Sequence, residues 1–352
     1  MEIIFTKDTD WLKKWDTYII NEDKGSHLLL SDWVKSFTSY GFDYELCLCL
    51  NKGSIIGGYA SVIAKALFFR FYIIPYGPIV SAGFESNLGE LITAVPQRAK
   101  FHKACYCHIT LPASEIVNTH VFANAIPLKA REGHLFKYVY SSNGLNWISL
   151  KNFNEDALLE SFKSSVRRDI RSSQRKGLDV RFLQTDAELK AGYNLCLENA
   201  SKNNYALRDW NSFGKTLLKM VNDGSAKFVA AFKDGDLKGA ILLVKAGNYY
   251  TYILGGTKKE KPDLLAGHLL QWEAIKLSMA ENYDGYNISL GGSGGVLEFK
   301  NGFNTQQVLF SNSKFHWILK PLYFRMYLFF EKSLRPHKKR ISGILSALKN
   351  KK

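Results

Sequence analysis

Residues 227–256, KFVAAFKDGDLKGAILLVKAGNYYTYILGG, contain three short apolar segments separated by two glycine turns. Their β-branched and aromatic residues favour strands, and Asp234-Gly235 and Gly247-Asn248 are typical turn dipeptides. We therefore predict a three-stranded antiparallel meander at 227–232, 237–244 and 249–254. A long apolar helix at 264–280 and another strand at 286–290 follow it.

The first half of the chain has a similar order of elements. Segments 45–50 and 55–63 are predicted hairpin strands, and a third strand, 67–74, ends at a proline. A helix at 88–102 and a strand at 104–111 follow, and 134–140 and 146–150 are predicted as the last strands of this half. Because 352 residues suffice for two domains of about 150 residues each, we predict an α/β (α+β) fold with domains at 1–150 and 151–313 and a basic, aromatic tail at 314–352.

A single helix, predicted at 154–176, connects the two domains. Asn154 is a favourable N-cap, and Gly177 can take the left-handed conformation that ends a helix. Arg167, Arg171 and Arg175 recur every four residues on its polar face, and guanidinium groups are well suited to phosphates. A solvated polar face is the other interpretation of this spacing. The apolar stripe of the helix consists of Leu158, Phe162, Val166 and Ile170.

The net charge of +15, from 47 Lys and Arg against 32 Asp and Glu, is concentrated in two segments. Residues 163–181 contain seven basic and two acidic residues, and residues 314–352 contain eleven basic residues and one acidic residue. Local basicity favours polyanionic partners: phosphorylated metabolites, nucleic acid or an anionic membrane surface. In the tail, aromatic residues precede a basic stretch with helical spacing after Pro336. This pattern is typical of a membrane-interface contact, and a tRNA backbone or a solvated terminus are the other interpretations.

The sequence also limits the cellular compartment and the metal chemistry that we expect. No segment reaches the roughly 20 apolar residues of a membrane-spanning helix, and the N-terminus lacks a signal-peptide pattern. We expect a cytoplasmic protein that contacts the inner face of the cell membrane through its tail. The pairs Cys47/Cys49 and Cys105/Cys107 lack the spacing usual for zinc, so we expect reduced core thiols and no metal.

Two further segments have the residue types of a ligand site. Gly291, Gly292 and Gly294 lie in a predicted loop directly after a strand, where glycines permit close approach of a ligand. Lys300 follows this loop, and its ammonium could meet an oxyanion or a phosphate. Tyr250 and Tyr252 share one face of the third meander strand, where packing with a polar tip is the alternative role.

Seven blocks of the chain, in order, resemble the Fem (FemABX) non-ribosomal peptidyltransferases. They run from about residue 30 to 310. The quoted blocks are 72–80, 146–150, 166–177, 239–240, 252–257, 269–275, and 291–292 with 299–303.

This resemblance implies two tandem GNAT-like N-acyltransferase domains. It also implies transfer of an aminoacyl group from aminoacyl-tRNA to an amine on a phosphorylated or lipid-linked cell-wall (peptidoglycan) precursor, without a bound cofactor. Phe299-Lys300 resembles the family's Phe-Lys pair, whose lysine stabilises charge in the acyl-transfer transition state. Tyr252 resembles the tyrosine near the acceptor or the transferred group. We expect Arg167, Arg171, Tyr250, Gly291, Gly292, Gly294 and Glu298 to bind substrate.

The chain departs from this family pattern in two places and also lacks a motif of CoA-using acetyltransferases. The strand ending at Pro112 lacks the acidic residue that many relatives carry before the proline, and the segment between Leu183 and Lys227 is too short for a coiled-coil arm. The Arg-x-x-Gly-x-Gly/Ala turn, which binds pyrophosphate in CoA-using acetyltransferases, is absent, so acyl-CoA is the less favoured donor. Two alternatives stay open: an acyl-CoA-dependent N-acyltransferase acting on a sugar or envelope polysaccharide, and a catalytically silent tRNA- or membrane-binding relative.

Overall fold

Two mixed β-sheets with helices on their faces make up the computed structural model, which describes residues 1–66, 68–112, 125–127, 139–310 and 313–334. The helices are α1 (Thr9–Asn21), α2 (Ser31–Lys35), α3 (Leu88–Phe101), α4 (Glu155–Ser161), α5 (Ser164–Arg175), α6 (Asp186–Lys202), α7 (Trp210–Asn222), α8 (Ala266–Ala280), α9 (Gly294–Asn301) and α10 (Pro321–Phe329). The strands are β1 (Glu2–Thr6), β2 (Asp43–Asn51), β3 (Ser54–Ala66), β4 (Phe69–Ile73), β5 (Ile79–Val80), β6 (Tyr106–Thr110), β7 (Ile126–Pro127), β8 (Gly144–Ser149), β9 (Asp179–Leu183), β10 (Ala226–Lys233), β11 (Asp236–Lys245), β12 (Tyr249–Thr257), β13 (Gly285–Asn287), β14 (Gln306–Leu309) and β15 (Lys314–Ile318).

The two sheets repeat one topology. The first has the order β1-β2-β3-β4-β6-β15-β7, with β5 beside β3, and the second has the order β14-β8-β13-β12-β11-β10-β9. In each, an antiparallel meander leads through one helix, α3 or α8, into a strand parallel to the last strand of the meander. A parallel neighbour requires such a crossover. The predicted fold of two similar domains with mixed sheets is confirmed, and residues 184–225 form the packed helices α6 and α7 rather than a long arm.

Strands β8 and β15 each pair in a different sheet from the one that the sequence predicts. Strand β8, predicted as the last strand of the first half, pairs with β13 and β14 of the second sheet. Strand β15, predicted as the start of a tail, pairs with β6 of the first sheet. Both predictions were wrong, because each sheet takes the strand next to its edge from the chain that leaves the other sheet, and sequence proximity does not show this. Most of predicted strand 134–140 and the tail beyond residue 334 lie outside the described residues.

One apolar cluster joins the two sheets. It contains Phe71 and Tyr106 from the first sheet, Phe228 and Leu242 from the second, and Phe310 from the connection between β14 and β15. These side chains are at most 5% exposed. Burial of apolar surface contributes about 25 cal/mol per Å², so the halves are stabilised by a common core as well as by strand exchange.

A buried carboxylate on β2 organises the opposite face of the first sheet. Glu45 is 3% exposed and accepts hydrogen bonds from Arg98 Nε at 2.9 Å, Arg98 Nη2 at 2.8 Å and the Tyr72 hydroxyl at 2.8 Å. His102 Nε2 lies 2.9 Å from the same carboxylate. Burial alone would raise the pKa of Glu45, but these hydrogen bonds outweigh it and lower the pKa to about 2.

Replacing Glu45 by Gln is expected to lower the free energy of unfolding by about 3 kcal/mol, because it leaves Arg98 without its buried partner. The pKa of Glu45 lies below its ordinary value of 4.5, so its contribution is complete above pH 4.5 and declines as the pH falls towards 2. Urea unfolding of both proteins against pH measures this difference. Asp43→Asn, which breaks the exposed Lys7–Asp43 pair, is the control and should cost less than about 1 kcal/mol; equal losses in the two variants would contradict the assignment.

Candidate functional site

Lys300, on the last turn of α9, is buried and fully hydrogen-bonded. It is 2% exposed, and its Nζ donates to Ser289 O at 3.0 Å, Ser289 Oγ at 3.0 Å and Gly291 O at 2.6 Å. An ammonium has three donors, so these neutral acceptors use all of them. Desolvation lowers the pKa of Lys300 to about 8, because burial penalises the charged form.

Ser289 fixes the position of this ammonium and was not found by sequence reasoning. It follows β13 and has a φ of +61°, a left-handed conformation that is uncommon for a residue with a side chain. Both its carbonyl and its hydroxyl accept from Lys300. Nothing in the pattern around residue 289 distinguishes a left-handed serine from an ordinary strand end.

Tyr252 lies next to the ammonium, as the prediction of a common site requires. The Lys300 Nζ is 5.4 Å from the centroid of the Tyr252 ring, within the range of a cation–π interaction. Leu243 pairs with Tyr252 and Leu242 pairs with Leu254, so a β-bulge follows Tyr252. Burial raises the pKa of the Tyr252 hydroxyl, which keeps it a neutral donor near pH 7.

Phe299 anchors α9 to α8. Its ring contacts His268 at 4.8 Å and Phe303 at 5.3 Å between centroids, and His268 Nε2 lies 3.7 Å from Asp169. Desolvation lowers the pKa of His268. Phe299 therefore packs the helix that carries Lys300, and a direct role in the reaction stays a prediction.

The glycine segment is shorter as a loop than predicted, because α9 begins at Gly294. Gly291 supplies a carbonyl to Lys300, and a Cβ at Gly292 would lie 2.5 Å from Val296 Cγ1. At Gly291 and Gly294 a Cβ would meet no atom within 4 Å beyond the adjacent residues and the local helix backbone, so open space adjoins this exposed backbone. Its use for substrate stays a prediction.

Two of the predicted substrate-binding residues, Tyr250 and Glu298, lie away from the Lys300 ammonium. Tyr250 shares the face of Tyr252, but its hydroxyl donates to Glu281 Oε1 at 2.9 Å, just beyond the end of α8. Glu298 is exposed, and two residues of helix turn it to the side of α9 opposite Lys300. The structure brings neither side chain to the ammonium.

The predicted helix 154–176 is two helices, α4 and α5. The break between them explains the contacts that Arg167 makes. Phe162 is extended at the break (ψ 158°) and packs against Phe303 at 5.3 Å. Arg167 Nη1 donates to the carbonyls of Glu160 at 2.9 Å and Phe162 at 2.6 Å, which caps the end of α4. Arg171 Nη2 donates to the Glu160 carboxylate at 2.7 Å. Both arginines therefore have protein partners, and phosphate binding by them stays a prediction.

Two further cations, the half-buried Arg208 and the buried Lys314, were not predicted from the sequence. Arg208, in the loop before α7, lies between the rings of Trp33 (5.1 Å) and Phe213 (4.0 Å) and donates to the Ser36 hydroxyl. Burial lowers the pKa of Arg208 to about 10. Lys314 on β15 donates to Asn143 Oδ1, and burial lowers the pKa of Lys314 to about 8. Neither belongs to a periodic pattern, so no sequence signal marks them.

Two grooves lie away from Lys300. One of about 350 Å³ runs between the halves and is lined by Tyr76, Trp147 and Tyr249 among others. The other, of about 730 Å³, lies beside α1 and is lined by Tyr18 and Ser81 among others. Neither is lined by Lys300 or Tyr252. Among the residues that the structure describes, no cluster of His, Cys, Asp or Glu could hold a metal ion.

The two repeated sheets have the fold of tandem GNAT-like domains. A family model described as an acetyltransferase (GNAT) domain matches residues 160–301. The structure is similar to the crystal structure of FemX, with a TM-score of 0.78 and 16% identity over 93% of this chain and 100% of that one. The resemblance to the Fem type is thereby confirmed for the fold.

Other solved structures have the same fold at lower similarity. One is a Bacteroides thetaiotaomicron protein of unknown function (TM-score 0.57, 12% identity, 90% of this chain and 99% of that chain). Another is the C-terminal domain of a protein assigned as a lysylphosphatidylglycerol synthetase from Agrobacterium fabrum (TM-score 0.56, 10% identity, 91% and 95%). No curated protein sequence matches the chain.

The side-chain signals of Lys300 are expected to titrate near pH 8 in NMR spectra of protein with ¹³C-labelled lysine, because its ammonium is desolvated. Lys314 should titrate in the same range, so Lys300→Arg and Lys314→Arg spectra assign the two signals. Titration of Lys300 above pH 10 would show that its ammonium is hydrated.

Arg167→Ala is expected to lower the free energy of unfolding by about 1–2 kcal/mol, because two carbonyls at the end of α4 lose their donor. Arg171→Ala removes only an exposed ion pair and should cost less than about 1 kcal/mol. Chemical denaturation compares the two variants. The capping role is refuted by a smaller loss for Arg167 than for Arg171.

Proposed function

We propose that the chain is an aminoacyltransferase that transfers an aminoacyl group from aminoacyl-tRNA to an amine of a phosphorylated or lipid-linked peptidoglycan precursor. The observation that carries this proposal is the buried Lys300 ammonium beside Tyr252, at the position where the Fem family has its Phe-Lys pair. Because the donor is charged tRNA, the reaction belongs to the cytoplasm.

Lys300 fits the electrostatic demand of acyl transfer. When the acceptor amine attacks the ester carbonyl of aminoacyl-tRNA, the tetrahedral intermediate carries an oxyanion; its collapse forms the amide and releases the ribose hydroxyl. An ammonium in a water-poor site stabilises such a charge far more than it would in water. The oxyanion would replace one of the neutral acceptors that Ser289 and Gly291 provide. The proton of the amine goes to a base on the substrate and from there to the leaving ribose oxygen, because Glu298 lies on the side of α9 opposite Lys300.

The start of α8 supports aminoacyl-tRNA over acyl-CoA. CoA-using relatives bind pyrophosphate in the turn before this helix, where the present chain lacks their arginine. The carboxylate of Asp263 occupies that turn and accepts from Leu265 N at 2.8 Å. A carboxylate there is unfavourable for a pyrophosphate, and the Lys176 ammonium, which donates to the Asp263 carbonyl, offsets part of that repulsion. The match to an acetyltransferase family model keeps the acyl-CoA-dependent enzyme, with a sugar or polysaccharide acceptor, as the competing candidate.

Purified protein is expected to transfer label from charged tRNA to an amine-bearing UDP-linked muropeptide, and RNase should abolish the transfer. Lys300→Met keeps the length of the side chain without its charge and should lower the rate by about a hundredfold or more. Lys259→Met, at an exposed lysine, is the matched control.

Transfer from acetyl-CoA but not from tRNA would favour the competing enzyme. Absence of transfer from every donor would favour the catalytically silent relative. Full activity of the folded Lys300→Met variant would leave acyl transfer possible but remove the proposed role of the lysine.

A further inference from the structure

Helix α10 packs only one side onto the first sheet. Phe324 stacks on Tyr106 at 5.1 Å, and Tyr327 packs against Phe71 at 4.6 Å. The other side is apolar and exposed, with Leu322 at 70% and Phe329 at 62% exposure. Phe68, in the β3–β4 turn, is 60% exposed, and its ring lies 6.4 Å from that of Tyr323. We call this surface the α10 face; it consists of Phe68, Leu322, Tyr323, Met326 and Phe329.

Basic residues surround the α10 face. Lys65 and Arg70 are cross-strand partners beside Phe68. Lys320 Nζ lies 5.7 Å from the Tyr323 ring and donates to the carbonyl of Lys103 at 3.2 Å, and Arg325 is exposed on α10 itself. Within the described part of the chain, none of these four cations forms a salt bridge.

We propose that the α10 face docks on an anionic phospholipid bilayer, with its apolar side chains in the interface and its cations among the headgroups. Amphipathic surfaces of this composition bind membranes through apolar burial together with attraction to anionic lipid. The inference is independent of the reaction: it concerns a surface on the first sheet, whereas Lys300 lies on the second.

The positive charge around the α10 face favours an anionic bilayer over a second copy of the chain or the basic residues 335–352, and the apolar side chains favour it over RNA. A second copy would bring the same cations into contact, and like charges across an interface are unfavourable. Residues 335–352, which follow α10, contain seven basic residues and no acidic one, so they too would repel the rim. RNA would satisfy the cations but leaves Leu322, Met326 and Phe329 without an apolar partner.

Co-sedimentation of the full chain with vesicles tests the proposal. The protein is expected to bind vesicles of phosphatidylcholine with one third phosphatidylglycerol, and to bind pure phosphatidylcholine at least about tenfold more weakly. The triple variant Leu322→Gln, Met326→Gln, Phe329→Gln should lower partitioning into the anionic vesicles at least about tenfold. The control, Phe153→Gln with Phe182→Gln, alters exposed aromatic residues of the other half and should bind as the unmodified protein does.

A second measurement covers failure of the triple variant to fold. A polarity-sensitive fluorophore on Met326→Cys should shift to the blue with anionic vesicles, whereas the same label on Phe153→Cys should not. Three results would overturn the proposal: an unchanged Met326→Cys label, unchanged vesicle binding by the triple variant, or loss of tRNA binding instead of vesicle binding. Loss of binding in Lys338→Gln, Lys339→Gln, Arg340→Gln alone would also overturn it, since the contact would then belong to the tail.

Discussion

The exchange of β8 and β15 between the two halves is the constraint on which the candidate site depends. Strand β8 pairs with both β13 and β14, and the chain between these two strands carries Ser289, Gly291 and α9. The segment that holds Lys300 is therefore fixed at both ends to one strand. Strand β15 returns the chain to the first sheet, where α10 then packs. The site and the α10 face therefore each depend on a strand that was assigned by sequence to the other half.

Lys300 illustrates how a cation is kept where water is absent. Removal of an ammonium from water is costly, and most buried ammonium groups are paired with a carboxylate. Here three neutral oxygens replace the water, so the charge is retained without being neutralised. A carboxylate partner would compete with a developing oxyanion, whereas neutral acceptors can be exchanged for one. The left-handed Ser289 is the local conformational cost of this arrangement.

Much of the fold was predictable because its signals are local. The meander at 226–257 follows from apolar segments and glycine turns, and α8 from a long apolar stretch. The exchange of β8 and β15 was not predictable, because the pairing of strands that are distant in sequence produces no periodic pattern of residues. Lys300, Phe299 and Tyr252 were selected by motif, and the structure brings Tyr252 and Lys300 together. Ser289 and Arg208 act through three-dimensional neighbours alone. The contacts of Arg167 with two carbonyls at the end of α4, and of Arg171 with the Glu160 carboxylate, were likewise not predictable from their spacing.

Mass spectrometry of the cell-wall precursors from cells with and without this protein tests the central claim, aminoacyl transfer to a precursor amine, most directly. We predict that precursors from cells lacking the protein are lighter by the mass of one amino-acid residue. The Lys300→Met protein should fail to restore the missing mass. A missing acetyl mass, or precursors of unchanged mass, would contradict it.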